Sequence, residues 1–200
     1  MGTFNTSSAL EVKTSNSPIN VVVNAFNPDN HAPTKVKLHT SNRLVSARSI
    51  SCGVLDSFPY SFLYAELALL STCHSQSNGS FFVTAHTSNS PLSVNFTEHA
   101  PDAQLKLQAH TSNAPAHVRL QPAFEGTFKL RTSIFPAHVS PDLDAEDPAG
   151  RGRKRVVNVK TVGHGSRVVY GDAEWVPQDE EAPAGRVEVS TSSSPLYVSL

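Results

Sequence analysis

The sequence has little of what several protein classes require. No apolar run reaches the ~18 residues of a membrane-spanning helix, and the first 30 residues lack the charged-then-apolar order of a signal peptide. Lys and Arg total 16 against 17 Asp and Glu, so the net charge is −1. This balance argues against a nucleic-acid partner, because a dedicated nucleic-acid binder normally carries a basic excess.

Enzymatic signatures are also missing. The 200 residues contain no G-x-S-x-G, no H-E-x-x-H, no phosphate-cradling Gly-rich loop and no C-x-x-C. We therefore predict a protein that is not an enzyme and that has no cofactor. Cys52 and Cys73 are the only cysteines, and a single disulfide in an oxidising compartment and two free thiols both remain open.

What the chain does have is a repeated phrase. It holds 26 Ser, 14 Thr and 21 Val, a balance that favours β-structure with polar turns over helical bundles. The phrase occurs as TSNSP at 14–18, TSNRL at 40–44, TSNSP at 87–91, TSNAP at 111–115, TSIFP at 132–136, TVGHG at 161–165 and TSSSP at 191–195. Internal similarity of this kind indicates a repeat architecture.

Aligning the copies on their Thr produces columns that alternate in polarity. The position four before the Thr is always apolar, as in Val83 and Leu107, and so is the position two before it. The positions between are almost all polar, and an apolar position returns seven residues past the Thr, as in Val94, Val118 and Val139. A period of two indicates strands buried on one face, so each unit is predicted to be strand, S-N-x-P corner, strand.

Five of the six Thr-to-Thr intervals lie between 21 and 30 residues, which suits one coil of a β-solenoid. We predict an all-β, single domain over residues 1–200, a parallel β-helix-like solenoid of about seven coils. The alternative is an antiparallel β-sandwich in which each S-N-x-P links a hairpin. Residues 48–65 break the alternation and are predicted to be an insertion, and 140–155 and 177–185 are predicted to be solvated loops.

The column just before the corner Thr is predicted to form a basic stripe. Its members are Lys13, His39, His86, His110, Arg131 and Lys160, and His117 and His138 would form a second short stack. If coils stack in register, neighbours in a column lie ~4.8 Å apart, and imidazoles that gain charge at acid pH could bind an anionic glycan. The other interpretation is a polar column that serves solubility. No metal site is predicted, because His from one in-register column cannot surround an ion tetrahedrally.

Three segments match the N-glycosylation acceptor N-x-[ST]. They begin at Asn5, Asn78 and Asn95, and Asn95 is predicted to face outward, as a glycan requires. Together they favour an extracellular or cell-surface location for a glycoprotein.

The repeated TSN-x-P corners, the phrase PAFEGTF at 122–128 and the run EDPAGRGRKR at 146–155 resemble a family of uncharacterised basidiomycete fungal proteins. These in turn are similar to bacterial adhesins of the DUF4097 and DUF2807 type. The resemblance covers nearly all the chain apart from 48–65 and implies a β-solenoid ectodomain at the cell surface, often behind an N-terminal membrane anchor. No such anchor precedes Thr14 here, and the family has no established catalytic residue.

These observations lead to an expected function and two alternatives. The expected function is a non-catalytic, adhesin-like surface or wall protein that binds a glycan, a cell-wall polymer or another surface through its outer face. The first alternative is a structural module that self-associates through its end coils, because the last strand, 187–200, is predicted to lie at an uncovered sheet edge. The second alternative is a polysaccharide-active enzyme.

Overall fold

The structure is a computed structural model that describes residues 2–17, 19–27, 32–42, 45–47, 65–70, 79–99, 101–162, 167–177 and 185–200. This part of the chain is all β and contains no helix. Its strands are β1 (Gly2–Thr6), β2 (Ala9–Thr14), β3 (Ile19–Phe26), β4 (Thr34–Thr40), β5 (Val45–Ala47), β6 (Ala65–Leu70), β7 (Ser80–Thr87), β8 (Leu92–His99), β9 (Gln104–Thr111), β10 (Ala116–Arg119), β11 (Gly126–Arg131), β12 (Ala137–Ser140), β13 (Lys154–Val162), β14 (Val168–Val176), β15 (Gly185–Thr191) and β16 (Leu196–Ser199).

The strands form two eight-stranded sheets. Sheet A has the order β1-β3-β5-β8-β10-β16-β12, with β6 also between β3 and β8, and sheet B has the order β13-β14-β11-β15-β9-β7-β4-β2. Each S-N-x-P corner takes the chain from sheet B into sheet A, as between β9 and β10. Among the described strands every pairing is parallel except those that β14 makes with β11 and β13, so these corners do not link hairpins.

The core contains the predicted apolar columns. Along β7 and β9 buried and more exposed residues alternate with period two, as expected for strands with one solvated face. The columns before the corner meet those after it in a single hydrophobic cluster, which includes Val83, Leu107 and Val94. The largest fully buried side chains are Trp175, Phe81, Phe96, Phe124 and Phe128.

β5 and β6 lie end to end between β3 and β8. Ala47 pairs with Val94 and Glu66 pairs with the next residue, Asn95. Ala65 also pairs with Val94, so β5 ends and β6 begins against the same residue of β8. Residues 48–64 themselves, Cys52 and Cys73 lie outside the described residues.

The last repeat unit is not at the end of the fold. β15 lies between β9 and β11, and β16 lies between β10 and β12. The row predicted as Val94, Val118 and Val139 therefore runs Val94, Val118, Val198, Val139. The prediction that the last strand leaves an uncovered sheet edge is wrong, because both of its strands pair on two sides.

The sixth copy of the phrase, TVGHG at 161–165, does not form a corner between the sheets. β13 and β14 both belong to sheet B and pair antiparallel, with Val162 opposite Val168. The predicted coil at this place is wrong. This copy has Gly163 and Gly165 where most of the others have Asn or Ser and Pro, so it lacks the side chains that cap the corner and fix the entry of the next strand.

Polar ladders join the corners. The Nδ2 of Asn42 donates to the Oδ1 of Asn16 (3.0 Å), that of Asn89 to Asn42 (3.0 Å) and that of Asn113 to Asn89 (2.7 Å). At one corner the hydroxyl of Thr14 donates to the carbonyl of Ser17 (3.1 Å). Such ladders satisfy backbone groups at the bends and hold successive units in register.

Candidate ligand-binding face

The outward face of sheet B carries most of the charge of the described strands, and we call it the basic face. Its Lys and Arg side chains alternate with the buried positions and point away from the core. They are Lys13, Lys35, Lys37, Lys106, Lys129, Arg131, Lys154, Lys160 and Arg186, against the carboxylates of Glu11, Asp172, Glu174 and Glu188. Nine cations against four carboxylates give this face a positive potential in a chain whose net charge is −1.

Three histidines of the predicted column form a stack on this face. The ring centroids of His39 and His86 are 4.8 Å apart and the rings are nearly parallel, at 3°; those of His86 and His110 are 5.0 Å apart, with 14° between the ring planes. The spacing is that of neighbouring strands, because β4, β7 and β9 are adjacent and in register. By the same register Lys13 stands beside His39.

The pKa of His86 is lowered. Partial burial is the largest cause, and the neighbouring His110 and His39 add charge repulsion. His86 consequently holds its proton less well than an isolated imidazole does.

The inserted strand β15 ends the imidazole stack. Ser190 occupies the next place, where its Oγ lies 2.8 Å from the Nδ1 of His110. Arg131 follows on the other side of Ser190. The predicted column therefore includes Lys13, His39, His86, His110 and Arg131, with Ser190 inserted before the arginine.

Lys160 does not belong to this column. In β13 it lies opposite Tyr170, which in turn lies opposite Lys129 of β11. The alignment on the degenerate TVGHG copy misplaced it, because a hairpin replaces the expected coil and shifts the register by two residues. Lys160 instead lines a cleft of about 280 Å³ with Lys129, Tyr170, Asp172, Asn158 and Arg186.

Sequence reasoning missed this cleft. Tyr170 and Asp172 occur in no copy of the repeated phrase, and β14 is the one strand of sheet B that pairs antiparallel on both sides. The signal that could have indicated it is the alternation of Val168, Tyr170 and Asp172 with Val169, Gly171 and Ala173, which is typical of a second hairpin strand.

The second predicted stack gains an aromatic residue. Tyr197 of β16 lies between the two histidines on the outward face of sheet A, with its ring centroid 4.7 Å from that of His117 and 5.2 Å from that of His138. The pKa of His117 is lowered by burial. The two histidines share one stack only because β16 lies between their strands.

The acidic and basic run predicted as a solvated loop is in part buried. Arg153 donates to Asp147 (Nη2 to Oδ1, 3.0 Å) and to Glu125 (Nη1 to Oε1, 3.1 Å). Asp147 also accepts hydrogen bonds from the backbone N–H groups of Ala149, Arg151 and Arg153. These bonds, Arg153 foremost, hold the pKa of Asp147 well below its usual range.

Trp175 connects this network to the core. The guanidinium carbons of Arg153 and Arg155 lie 5.9 and 5.2 Å from its ring centroid, within the range of cation–π contact. Its Nε1 donates to the carbonyl of Pro122 (3.0 Å), which Arg155 Nη1 also reaches (2.6 Å). Burial lowers the pKa of Arg155 to about 10. Residues 141–153 form no strand, but the prediction of solvation is wrong for Arg153 and Arg155, because paired charges and an aromatic ring replace water around them.

The glycosylation candidates differ in accessibility. Asn5 is exposed in β1, and its Oδ1 accepts a hydrogen bond from Asn24 Nδ2 (2.7 Å). Asn95 is half-buried in β8, between β6 and β10. Asn78 lies outside the described residues.

Within the described ranges no three His, Cys, Asp or Glu side chains come together as a metal site would require. Nor does the described part of the chain contain a helix long and apolar enough to cross a membrane. A scan of the protein-family models found none that matches this chain, and no curated protein and no solved structure matches it.

Proposed function

We propose that this chain is a non-catalytic, adhesin-like protein of a cell surface or wall, and that its basic face binds an acidic glycan. The observation that carries the proposal is the excess of nine outward Lys and Arg side chains over four carboxylates on sheet B. Charge gathered on one face steers and holds an oppositely charged polymer even when the whole chain is near neutral.

The fold part of the proposal is a β-solenoid whose two walls are the two sheets. Parallel, in-register pairing of β2, β4, β7 and β9 with one another in sheet B, and of β3, β5 and β8 in sheet A, supports it. A wall built this way repeats its outward side chains at the strand spacing of ~4.8 Å. A linear polymer laid across the strands would then meet Lys13, His39, His86 and His110 in turn.

A glycan fits the basic face better than a nucleic acid does. Between the cations lie groups that hydrogen-bond to hydroxyls, such as Thr84, Gln108 and Asn158. Single-stranded nucleic acids are usually held by rows of aromatic rings on which bases stack. On the outward face of sheet B the rings of His39, His86 and His110 stack on one another, and the other outward aromatics of its strands are Phe82 and Tyr170.

The test is an array of neutral, carboxylated and sulfated glycans probed with the full chain at pH 5 and pH 7. We expect binding to the acidic glycans at both values and stronger binding at pH 5, where imidazoles gain charge. Lys37→Glu should weaken binding about fivefold, while Arg119→Glu on the outward face of sheet A should have little effect. Silence at both pH values, equal losses in the two variants, or tighter binding to oligonucleotides than to acidic glycans would overturn the proposal.

Self-association is the second candidate. In the described part of the chain, β2 and β13 end sheet B and β1 and β12 end sheet A, each paired on one side only. Such edges can pair with another chain. A concentration series in analytical ultracentrifugation that shows reversible growth would favour this alternative, and release of cleavage products from an acidic polysaccharide would favour an enzyme.

A further inference from the structure

The cleft lies at one end of the basic face, and its lining combines lysines with a tyrosine in place of histidines. Its central row is Lys129, Tyr170 and Lys160, directly opposite one another on β11, β14 and β13. Opposite residues in paired strands project from the same face, so the ring of Tyr170, which is 41% exposed, has a lysine on each side.

The next row supplies hydrogen-bonding groups. Thr127, Asp172 and Asn158 lie opposite one another on the same three strands, and Asn158 Nδ2 donates to Asp172 Oδ2 (2.8 Å). Arg186, beside Thr127 on β15, is held by an ion pair with Glu188. Glu188 thus partly neutralises the charge of Arg186, and the hydrogen bond from Asn158 partly satisfies the carboxylate of Asp172.

The two lysines of the central row differ from these residues in their contacts. Within the described residues neither Lys129 nor Lys160 forms an ion pair or a side-chain hydrogen bond. Their strands are two spacings apart, roughly 9.6 Å, so a single anion over Tyr170 would be attracted by both ammonium groups. Asp172, one row away, disfavours a second anion.

The size of the cleft limits the ligand. A volume of about 280 Å³ is just below the ~300–1,000 Å³ of pockets that enclose a drug-sized molecule, and the cleft is open to solvent on one side. It suits one sugar ring. An aromatic side chain with polar groups beside it is the usual means by which small polar ligands are oriented.

We propose that this cleft is the subsite that holds one acidic sugar ring of the glycan, with the ring on Tyr170, its anionic group between Lys129 and Lys160, and its hydroxyls toward Asp172, Asn158 and Thr127. The proposal rests on the proposed function and locates its specific contact. The shared ligand chemistry is a monoanionic sugar, and the anion is either the carboxylate of a uronic acid or a sulfate monoester.

The experiment compares short and long ligands on the full chain by calorimetric titration. Lys129→Gln/Lys160→Gln should weaken binding of an acidic disaccharide about tenfold. Lys35→Gln/Lys37→Gln removes the same charge from the same face outside the cleft and should change it less than about twofold. Uronate and monosulfated disaccharides, with their neutral counterparts, form the arms that identify the anionic group. Tyr170→Phe should retain most of the affinity and Tyr170→Ala should lose it, with far-ultraviolet circular dichroism as the check on folding.

The pH profile separates the subsite from the rest of the face. No histidine lines the cleft, so disaccharide binding should be unchanged between pH 5 and 7 while polymer binding rises at pH 5. Equal losses in the two double variants with the disaccharide would overturn the subsite while the basic face stands. Absence of binding by acidic glycans of every length would overturn the proposed function as well.

Discussion

The two halves of the chain use the same repeat in different ways. In the first half, β2, β4, β7 and β9 stack in the order in which they occur in the chain. In the second half, β15 lies between β9 and β11, and the antiparallel pair β13–β14 completes sheet B. In the first half the strands of sheet B follow the order of the chain, whereas in the second half the last strand, β15, is inserted between two earlier strands.

The comparison shows that the local sequence of a repeat unit does not determine which other strands it pairs with. TSNAP at 111–115 and TSSSP at 191–195 make the same corner, and the backbone N–H groups of Ser192 and Ser193 donate to the carbonyl of Ser112 (3.1 and 3.0 Å). The insertion needs a close approach of backbones at its start. Gly126, with φ of 143°, faces Gly185 so closely that a Cβ on it would lie 2.2 Å from the carbonyl oxygen of Gly185.

The two halves also end differently. The regular half ends in β2 and β1, whose side chains are largely exposed or half-buried. In the second half Trp175, fully buried, and the paired Arg153 and Asp147 lie beside the loop at 121–125. We expect substitutions in this second group to have the larger effects, and three changes test the comparison.

The largest effect is expected from Asp147→Asn. It removes a carboxylate that pairs with the buried guanidinium of Arg153, and losing one partner of a buried pair costs about 4 kcal/mol of unfolding free energy. Urea denaturation at pH 7 measures it. The exposed neighbour Asp144, replaced by Asn, is the control and should change stability by less than about 0.5 kcal/mol.

Acid pH should reduce the difference in stability between the parent protein and Asp147→Asn. The lowered pKa of Asp147 means that its contribution is present above the ordinary Asp value near 4 and is lost as the pH falls through the folded-state value. The two proteins should therefore converge in stability at strongly acid pH. A gap that stays constant from pH 7 down to the acid limit would contradict the assignment.

The second effect concerns the inserted strand. Leu196 and Leu92 are both fully buried and occupy one column, with Ala116 between them. Replacing either by Ala should cost about 3 kcal/mol. Hydrogen exchange should distinguish them. In the described part of the chain β12 pairs only with β16, so Leu196→Ala should speed exchange of the β12 amides and Leu92→Ala should not. Equal protection of β12 in both variants would argue against the inserted order.

The smallest effect is expected in the regular half, from His86→Gln. Because the pKa of His86 is lowered on folding, the unfolded chain binds more protons as the pH falls below about 6.5, and stability decreases. The variant should lose less unfolding free energy than the parent between pH 7.5 and 5.5. Lys106→Gln, on the same face, should keep the parent's slope. A variant slope equal to the parent's would remove His86 from the acid response.

Much of the regular half could be predicted from the sequence. The strands around 83–87 and 107–111, the corner ladder through Asn89 and Asn113 and the stacking of His86 on His110 all follow from period-two alternation and a constant register. The second half was predicted less well. The hairpin at 154–176 has about the length of one coil, so the interval between repeats did not distinguish the two. Arg153 and Arg155 were predicted to be solvated because the sequence alone does not show that Asp147 and Trp175 lie beside them.

The sequence by itself determined where most of the strands lie, which of their faces is buried and where six of the seven repeat corners lie, because these depend on alternation and turn chemistry within a few residues. Only the tertiary structure decided the order of the strands in the second half, the placing of Lys160 opposite Tyr170 and the burial of Arg155. Because the repeat units are so similar, the edge of one strand can pair with the edge of several others. The local sequence pattern therefore does not determine which strands become neighbours. Long-range fits such as the Gly126–Gly185 contact and the Arg153–Asp147 pair accompany the arrangement that the chain adopts.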